Sequence, residues 1–381
     1  MLTKKKILLF SDWYEPGYKA GGPIRSCVNF VQHMSADYAI YIFTSDRDLD
    51  ADKAYESIIT DQWQKQDSDI NIYYCSPVQL NWKNMRKQLT SIKPDFIYLN
   101  SMFSKYFTLY PLLINRWVKP QCKVILAPRG MLRISALQFK SAKKKIFLNL
   151  FRLTGFQKKI FFQAADETEK KDIQHCFGHH VHVEYIPNFP GKLHDISFRI
   201  EKKPGELFIL FVGRIHPIKN LDYLLQILIP VNAAIRLTIV GSIEDKFFWQ
   251  KCEQLISQLS ETVSVHFMGE LPNNLLPGIL KEQHIFSLPT KGENFGHAIF
   301  EALSSGKPVL ISDQTPWRNL EQEKAGWDIP LQKHEKFTEA IIHALAWDQD
   351  EYNVWSHNAF NFAKKSIDTG ELKKKYRQLF S

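Results

Sequence analysis

Residues 285–313 read IFSLPTKGENFGHAIFEALSSGKPVLISD and join two apolar, strand-length runs, 285–288 and 308–312, through a charged loop and a helix-length segment. Continuous apolar runs of this length suit strands buried on both faces of a parallel sheet, so the stretch predicts a strand, helix, strand unit of an α/β fold. Glu293 falls in the loop at the carboxyl end of the first strand, and Glu301 inside the helix that begins near His297. Two carboxylates can therefore approach one bound molecule from different heights. Gly296 lets the backbone come close, and the unpaired amides at the helix N-terminus offer a place for a diphosphate. The stretch predicts a nucleotide pocket.

Working upstream, the apolar run 207–212 leads directly into Gly213-Arg214-Ile215-His216-Pro217-Ile218-Lys219. This puts Arg214 and Lys219 at a strand's carboxyl end, the edge where open α/β sheets bind ligands. A guanidinium fork and a second cation together can neutralise a leaving diphosphate. Further strands are expected at 236–240 and 263–268, and Asn220 is placed to cap a helix that Pro230 ends. The first half shows the same alternation, with strands at 7–10, 40–44, 70–74, 96–99 and 124–127 and helices around 26–34, 81–92 and 107–117. Gly21-Gly22-Pro23 follows the first strand and suits either backbone amides lining a crevice or a plain tight turn. After Ile186-Pro187-Asn188 comes a stretch rich in Pro, Gly and charge, the best boundary. The expected organisation is a first domain at 1–195, a linker at 196–206, a second domain at 207–360, and a C-terminal helix within 361–381 packing back on the first domain.

The length of 381 residues suffices for two such domains. No apolar run approaches the roughly 20 residues that cross a bilayer, and residues 4–12 read as a first strand and not a signal segment, which predicts a cytoplasmic protein. Five cysteines without a Cys-x-x-Cys pair argue against zinc and against a disulfide framework. The net charge of +9 is concentrated: between Asp95 and Asp166 there are thirteen Lys or Arg and no acid, so this segment carries +13 and the rest −4. Within it, 139–162 (FKSAKKKIFLNLFRLTGFQKKIFF) interleaves cations with Ile, Leu and Phe. An anionic membrane surface ranks first as its partner, a solvated helix packed on its own domain second, and nucleic acid last, because no recognition motif accompanies the charge.

Other nucleotide motifs fail. No strand is followed by Gly-x-Gly-x-x-Gly, and Ser305-Gly306-Lys307-Pro308 lacks both the upstream glycine and the Ser or Thr of a phosphate loop. There is no Gly-x-Ser-x-Gly elbow and no His-Glu-x-x-His helix.

Gly213-Arg214 with Lys219 five residues later, and Glu293 with Glu301 inside GENFGHAIFEALSSGKPV, together resemble the donor site of the retaining glycosyltransferases of family 4, the group 1 glycosyl transferases. The resemblance implies the GT-B fold: two Rossmann-like, doubly wound parallel-sheet domains facing across a cleft whose closure assembles the site. It further implies a nucleotide-sugar donor, UDP- or GDP-linked. Arg214 and Lys219 would hold the diphosphate, and Glu301 the ribose hydroxyls. Glu293 and the amides of Asn294, Phe295 and Gly296 would orient the sugar, with Gly213 and Met268 completing the donor contacts. Gly21 and Gly22 would approach from the opposite wall. The implied acceptor is a glycan or polyprenyl-linked glycan, as in cell-surface polysaccharide biosynthesis. Transfer would be front-face with retention, needing neither metal nor cofactor. Many relatives place a His near the end of a first-domain strand. Here Ala127-Pro128-Arg129-Gly130-Met131-Leu132 occupies that place, similar to a subset of the family, so Arg129 joins Glu293, Arg214 and Lys219 as a catalytic candidate. A structural turn, with Arg129 paired to a local carboxylate, is the plainer alternative. Asn294 and His297 depart from the family pattern, which leaves the sugar open. Competing functions are a sugar-nucleotide epimerase of the same fold and a non-catalytic glycan-binding partner.

Overall fold

The computed structural model describes residues 4–117, 122–133, 136–137, 141–193 and 200–381. Linker positions 196–199, and Phe139 and Lys140 of the basic segment, lie outside these. The chain forms two compact units, Met1–Phe189 with Thr369–Ser381, and Pro190–Asp368. These bounds differ from the expected 195 and 360 for packing reasons. The Phe189 ring is buried in the first unit, stacked on Tyr376 at 4.6 Å and on His33 at 4.6 Å. In the second unit the helix Gln349–Ser366 continues past 360 with Ala359 and Ala363 buried.

The first unit runs β1 (Lys6–Phe10), α1 (Gly22–Met34), β2 (Ala39–Ser45), β3 (Trp63–Asp67), β4 (Ile70–Cys75), α2 (Trp82–Ile92), β5 (Phe96–Leu99), α3 (Tyr110–Trp117), β6 (Lys123–Leu126), α4 (Ser141–Leu153), β7 (Phe161–Ala164), α5 (Glu167–Phe177) and β8 (His182–Tyr185). Its sheet has the order β3-β4-β2-β1-β5-β6-β7-β8, parallel except for the β3 edge. Pattern reading misses β3 and β8 because WQKQD and HVEY are polar edge strands with mostly exposed side chains. It misses β7 because FFQA closes the basic segment and borrows its amphipathic look. That segment is not one element: it divides into α4, a 3-10 turn at Phe156–Lys158 and β7.

The second unit runs β9 (Glu206–Val212), α6 (Leu221–Leu228), β10 (Ala234–Val240), α7 (Lys246–Ile256), β11 (Val263–Phe267), α8 (Leu276–Lys281), β12 (Ile285–Leu288), α9 (His297–Ser304), β13 (Val309–Ser312), β14 (Gly326–Ile329), α10 (His334–Ala346) and α11 (Gln349–Ser366). The sheet order is β11-β10-β9-β12-β13-β14, all parallel. This is the doubly wound order, whose winding reverses between β9 and β12, so the loops leaving those two strands diverge around a crevice. Asn220 does not cap α6 through its side chain. It adopts a left-handed backbone (φ 61°), and its amide donates to the Pro289 carbonyl, tying the two loops together.

The final helix, α12 (Thr369–Leu379), packs in the first unit. There the Tyr376 hydroxyl accepts from Gln163 Nε2 at 2.8 Å and donates to the Pro187 carbonyl at 3.2 Å.

At the amino-terminal edge of the second sheet lies a cationic cluster. Lys202 Nζ is buried against the carbonyls of Lys203 and Trp347, and buried Lys307 Nζ donates to the Tyr352 hydroxyl at 3.1 Å. Burial pushes the Lys307 ammonium down to about 8. The folded state therefore holds this proton less tightly than the unfolded chain, and the resulting penalty is full below pH 8 and fades as pH rises toward 10.5. Lys307→Met is expected to raise unfolding stability by roughly 1–3 kcal/mol at pH 7. The gain over wild type should shrink when urea melts are repeated at pH 9.5, and a gain independent of pH would refute the charge-burial account.

Candidate functional site

The crevice edge of the second unit is built by two loops. β9 ends in Gly213, whose amide donates to the Val240 carbonyl at 3.0 Å. Gly241 faces it so closely that a Cβ there would lie 1.9 Å from the Gly213 carbonyl oxygen. The adjacent Arg214 extends to Glu244, Nη1 to Oε2 at 2.7 Å, both side chains about 41% exposed. Five residues on, Lys219 is largely buried and forms an ion pair with Glu293, which leaves the β12 side. The two loops are further joined where Thr290 Oγ1 donates to the Ile218 carbonyl at 3.0 Å and Lys291 N donates to the same oxygen at 2.8 Å.

Glu293 leads into Asn294-Phe295-Gly296 and α9. Gly296 takes φ 76°, a left-handed conformation favouring glycine, and a Cβ would press on Ile299 Cδ1 at 2.9 Å. The Phe295 carbonyl accepts from Trp317 Nε1 at 2.6 Å, which fixes the loop from below. Asn294 Nδ2 is buried and, among the described residues, has no hydrogen-bond partner. No side chain caps α9, so its first amides face the loop that carries Glu293. Glu301 lies one turn inside α9, half-buried. Met268, just past β11, is half-exposed, and its amide donates to the Ile239 carbonyl at 2.9 Å. Thus Gly213, Arg214, Lys219, Met268, Glu293, Asn294, Phe295, Gly296 and Glu301 all belong to the carboxyl-edge loops of one sheet, or to the helix leaving it. Gly241 and Glu244 belong there too. Sequence pattern misses both, although the Gly directly after the strand-length run 236–240 was a signal that could have flagged the first.

The other expected residues lie in the first unit. Gly21 (φ 65°) precedes α1, which has Pro23 in its first turn and no side-chain cap. Arg129 follows β6 with φ 55° and does not pair with a carboxylate through the hydrogen bonds that fix it. Its Nε donates to Asn100 Oδ1 at 3.2 Å, Nη2 to the Tyr98 hydroxyl at 2.8 Å, and Nη1 to Asn188 Oδ1. The next amide, Gly130 N, donates to Glu169, a carboxyl that burial pushes up. Asp12, two residues past the end of β1, accepts from Ser104 Oγ at 2.7 Å, and burial raises its carboxyl above the usual range. Asp12, Asn100 and Arg129 thus gather where the first sheet reverses its winding, between β1 and β5, and at the neighbouring β6 end. Sequence reading passes over Asp12 and Asn100 as ordinary loop residues. Among the described residues, no group of three His, Cys, Asp or Glu comes together as a metal site.

Residues 194–362, most of the second unit, match the family model "Glycosyl transferases group 1". The O-antigen chain mannosyltransferase B of Escherichia coli is 28% identical over 138 residues, 35% of each chain. The chain spans about a third of the length of the first curated relatives it matches. Among solved structures, sucrose-phosphate synthase from Thermosynechococcus elongatus superposes with a TM-score of 0.71 over 99% of both chains at 16% identity. HepE from Anabaena, in complex with UDP-glucose, gives 0.69 over 98% of this chain and 99% of that one at 15% identity. The two parallel-sheet α/β units are those of the GT-B fold.

Proposed function

We propose that the chain is a retaining, metal-independent glycosyltransferase that moves a sugar from a UDP- or GDP-sugar to a glycan or lipid-linked glycan in cell-surface polysaccharide biosynthesis. The observation that carries this is the Lys219–Glu293 pair at the switch point of the second sheet, with Arg214 and the uncapped start of α9 beside it, inside a group 1 domain. Lys219, Arg214 and the α9 amides offer positive charge where a diphosphate departs. Glu293 and the unsatisfied Asn294 amide orient the sugar hydroxyls, and Glu301 takes the ribose. The bond between the anomeric carbon and the diphosphate oxygen breaks as the acceptor oxygen attacks from the same face. The acceptor proton passes to the departing phosphate, so no protein nucleophile and no cofactor take part. Arg129, in the first unit, is a cation for the acceptor side of the reaction, working in the cytoplasm near the inner face of the membrane.

The test is calorimetry with a panel of UDP-, GDP- and ADP-sugars, followed by nucleotide release with glycan acceptors. Micromolar to submillimolar binding of one UDP- or GDP-sugar is expected. Failure of every donor to bind would remove the proposal.

A further inference from the structure

The geometry points to a membrane-docking face on the first unit, formed by the outer side of α4 and the end of α3, whose partner is an anionic lipid bilayer. The identification of the acceptor as lipid-linked rests on the glycosyltransferase proposal; the docking face itself rests on independent observations.

Two stripes run along α4. The inner one, Leu148 and Phe151, is buried in the core of the unit with Phe156, Ile160 and Phe162, and Lys144 folds beside it to donate to the Ala136 carbonyl at 2.6 Å. This stripe already satisfies the helix's need for a packed face. The outer stripe is apolar as well: Ile146, Leu150 and Leu153, spaced four and three residues apart on one side of the helix, are 61%, 57% and 84% exposed. A helix that needs only to be solvated gains nothing from a second apolar stripe. Trp117, at the end of α3, is 79% exposed. Its neighbour Arg116 reaches the Thr154 carbonyl at 3.4 Å, which brings the ends of the two helices together.

The flanks decide the occupant. Lys143, Lys145, Lys158 and Lys159 are exposed around this stripe, and no Asp or Glu occurs between Asp95 and Asp166. An apolar stripe bordered on its flanks by cations, with an aromatic ring at one end, matches the interface of an anionic bilayer. There the leucines enter the acyl boundary and the lysines meet lipid phosphates. Protein–protein interfaces are depleted in Lys, whereas this stripe is flanked by Lys143, Lys145, Lys158 and Lys159. Among the described residues no helix is long and apolar enough to cross a membrane, so α4 lies on the surface and does not span it. On the glycosyltransferase proposal, a face that holds the protein at a bilayer would suit a lipid-linked acceptor.

The experiment is co-sedimentation of the full chain with vesicles of phosphatidylcholine alone or with about one third phosphatidylglycerol, at low and high salt, beside calorimetric donor binding. Wild type is expected to partition to the anionic vesicles at least tenfold better than to neutral ones, with the preference falling at high salt. Leu150→Ser with Leu153→Ser, which leaves the charge unchanged, is expected to lose tenfold or more of the partitioning while keeping its circular dichroism. Lys143→Gln with Lys145→Gln should lose binding to anionic vesicles only. Absence of wild-type partitioning at low salt would overturn the proposal, as would indifference to both double substitutions. Concentration-dependent dimerisation abolished by the leucine pair, without vesicle binding, would assign the face to a second copy and overturn it equally. Donor binding reports separately on the glycosyltransferase proposal, so either can fail alone.

Discussion

Lys219→Ala is expected to lower kcat by about two to three orders of magnitude, corresponding to roughly 2.7–4 kcal/mol of lost transition-state stabilisation, with a smaller rise in KM for the donor. The asymmetry follows from when charge appears. In the ground state the diphosphate is bonded to the sugar, and Glu293 already neutralises the ammonium. As the glycosidic bond breaks, another negative charge develops on the phosphate oxygen, and the ammonium can move from one anion toward the other. Glu293→Gln removes that competition and also a sugar-orienting carboxylate, so it too is expected to lower kcat. Because the two side chains touch, the double variant should lose less than the sum of the single losses. Turnover of Lys219→Ala within threefold of wild type, at unchanged circular dichroism, would show that the pair is only a loop clasp. Arg214 differs: its pair with Glu244 is well exposed, where an ion pair contributes little to stability. Arg214→Ala should therefore act on donor affinity while leaving the melting temperature unchanged.

What was legible in the sequence follows the strength of the local signal. The buried central strands β1, β9, β12 and β13 are mostly apolar runs of four to seven residues, and β10 is an apolar run broken only by Arg236 and Thr238. Edge strands β3 and β8 are mostly exposed and carry little pattern, and β14 begins at a glycine, whereas the edge strand β11 could be read from the alternation in VSVHF. The loop and helix positions of the candidate residues Arg214, Lys219, Glu293 and Glu301 could be read because they sit at fixed offsets from apolar strands. Their partners could not. Glu244 meets Arg214 across 30 residues, and Asn188 meets Arg129 across 59, distances at which only the sheet order brings loops together. The basic segment shows the limit most clearly. Its composition gave the sign of the charge, but a helical stripe that packs and one that faces solvent look alike until the core is built. In α4 both occur on the same helix.

Gly241→Ala should cost about 2–4 kcal/mol of stability and weaken donor binding at least tenfold, although Gly241 carries no side chain for a ligand to touch. The added Cβ would stand 1.9 Å from the Gly213 carbonyl oxygen, 2.7 Å from its carbon and 3.4 Å from Arg214 N. All three are backbone atoms, so the strain cannot be relieved by turning a flexible side chain aside. Both loops are also held from outside. Ile215 N donates to the Ser242 carbonyl at 2.8 Å, Asp245 N to the Ile215 carbonyl at 3.1 Å, and Gly241 N to the Gly269 carbonyl at 2.8 Å. Relief therefore requires moving the Gly213–Arg214 peptide, the same unit that sets where the Arg214 guanidinium and the loop toward Lys219 stand. Stability and affinity should fall together, whereas Arg214→Ala should lose affinity alone. Gly278→Ala is the matched control: it lies within α8, no atom stands within 4 Å of its Cβ, and the substitution should stabilise by about 0.5–1 kcal/mol. Urea melts and donor calorimetry on the three variants separate the cases. A Gly241→Ala protein with wild-type melting and wild-type affinity would mean that the close approach of the two loops does not hold the donor cradle in place.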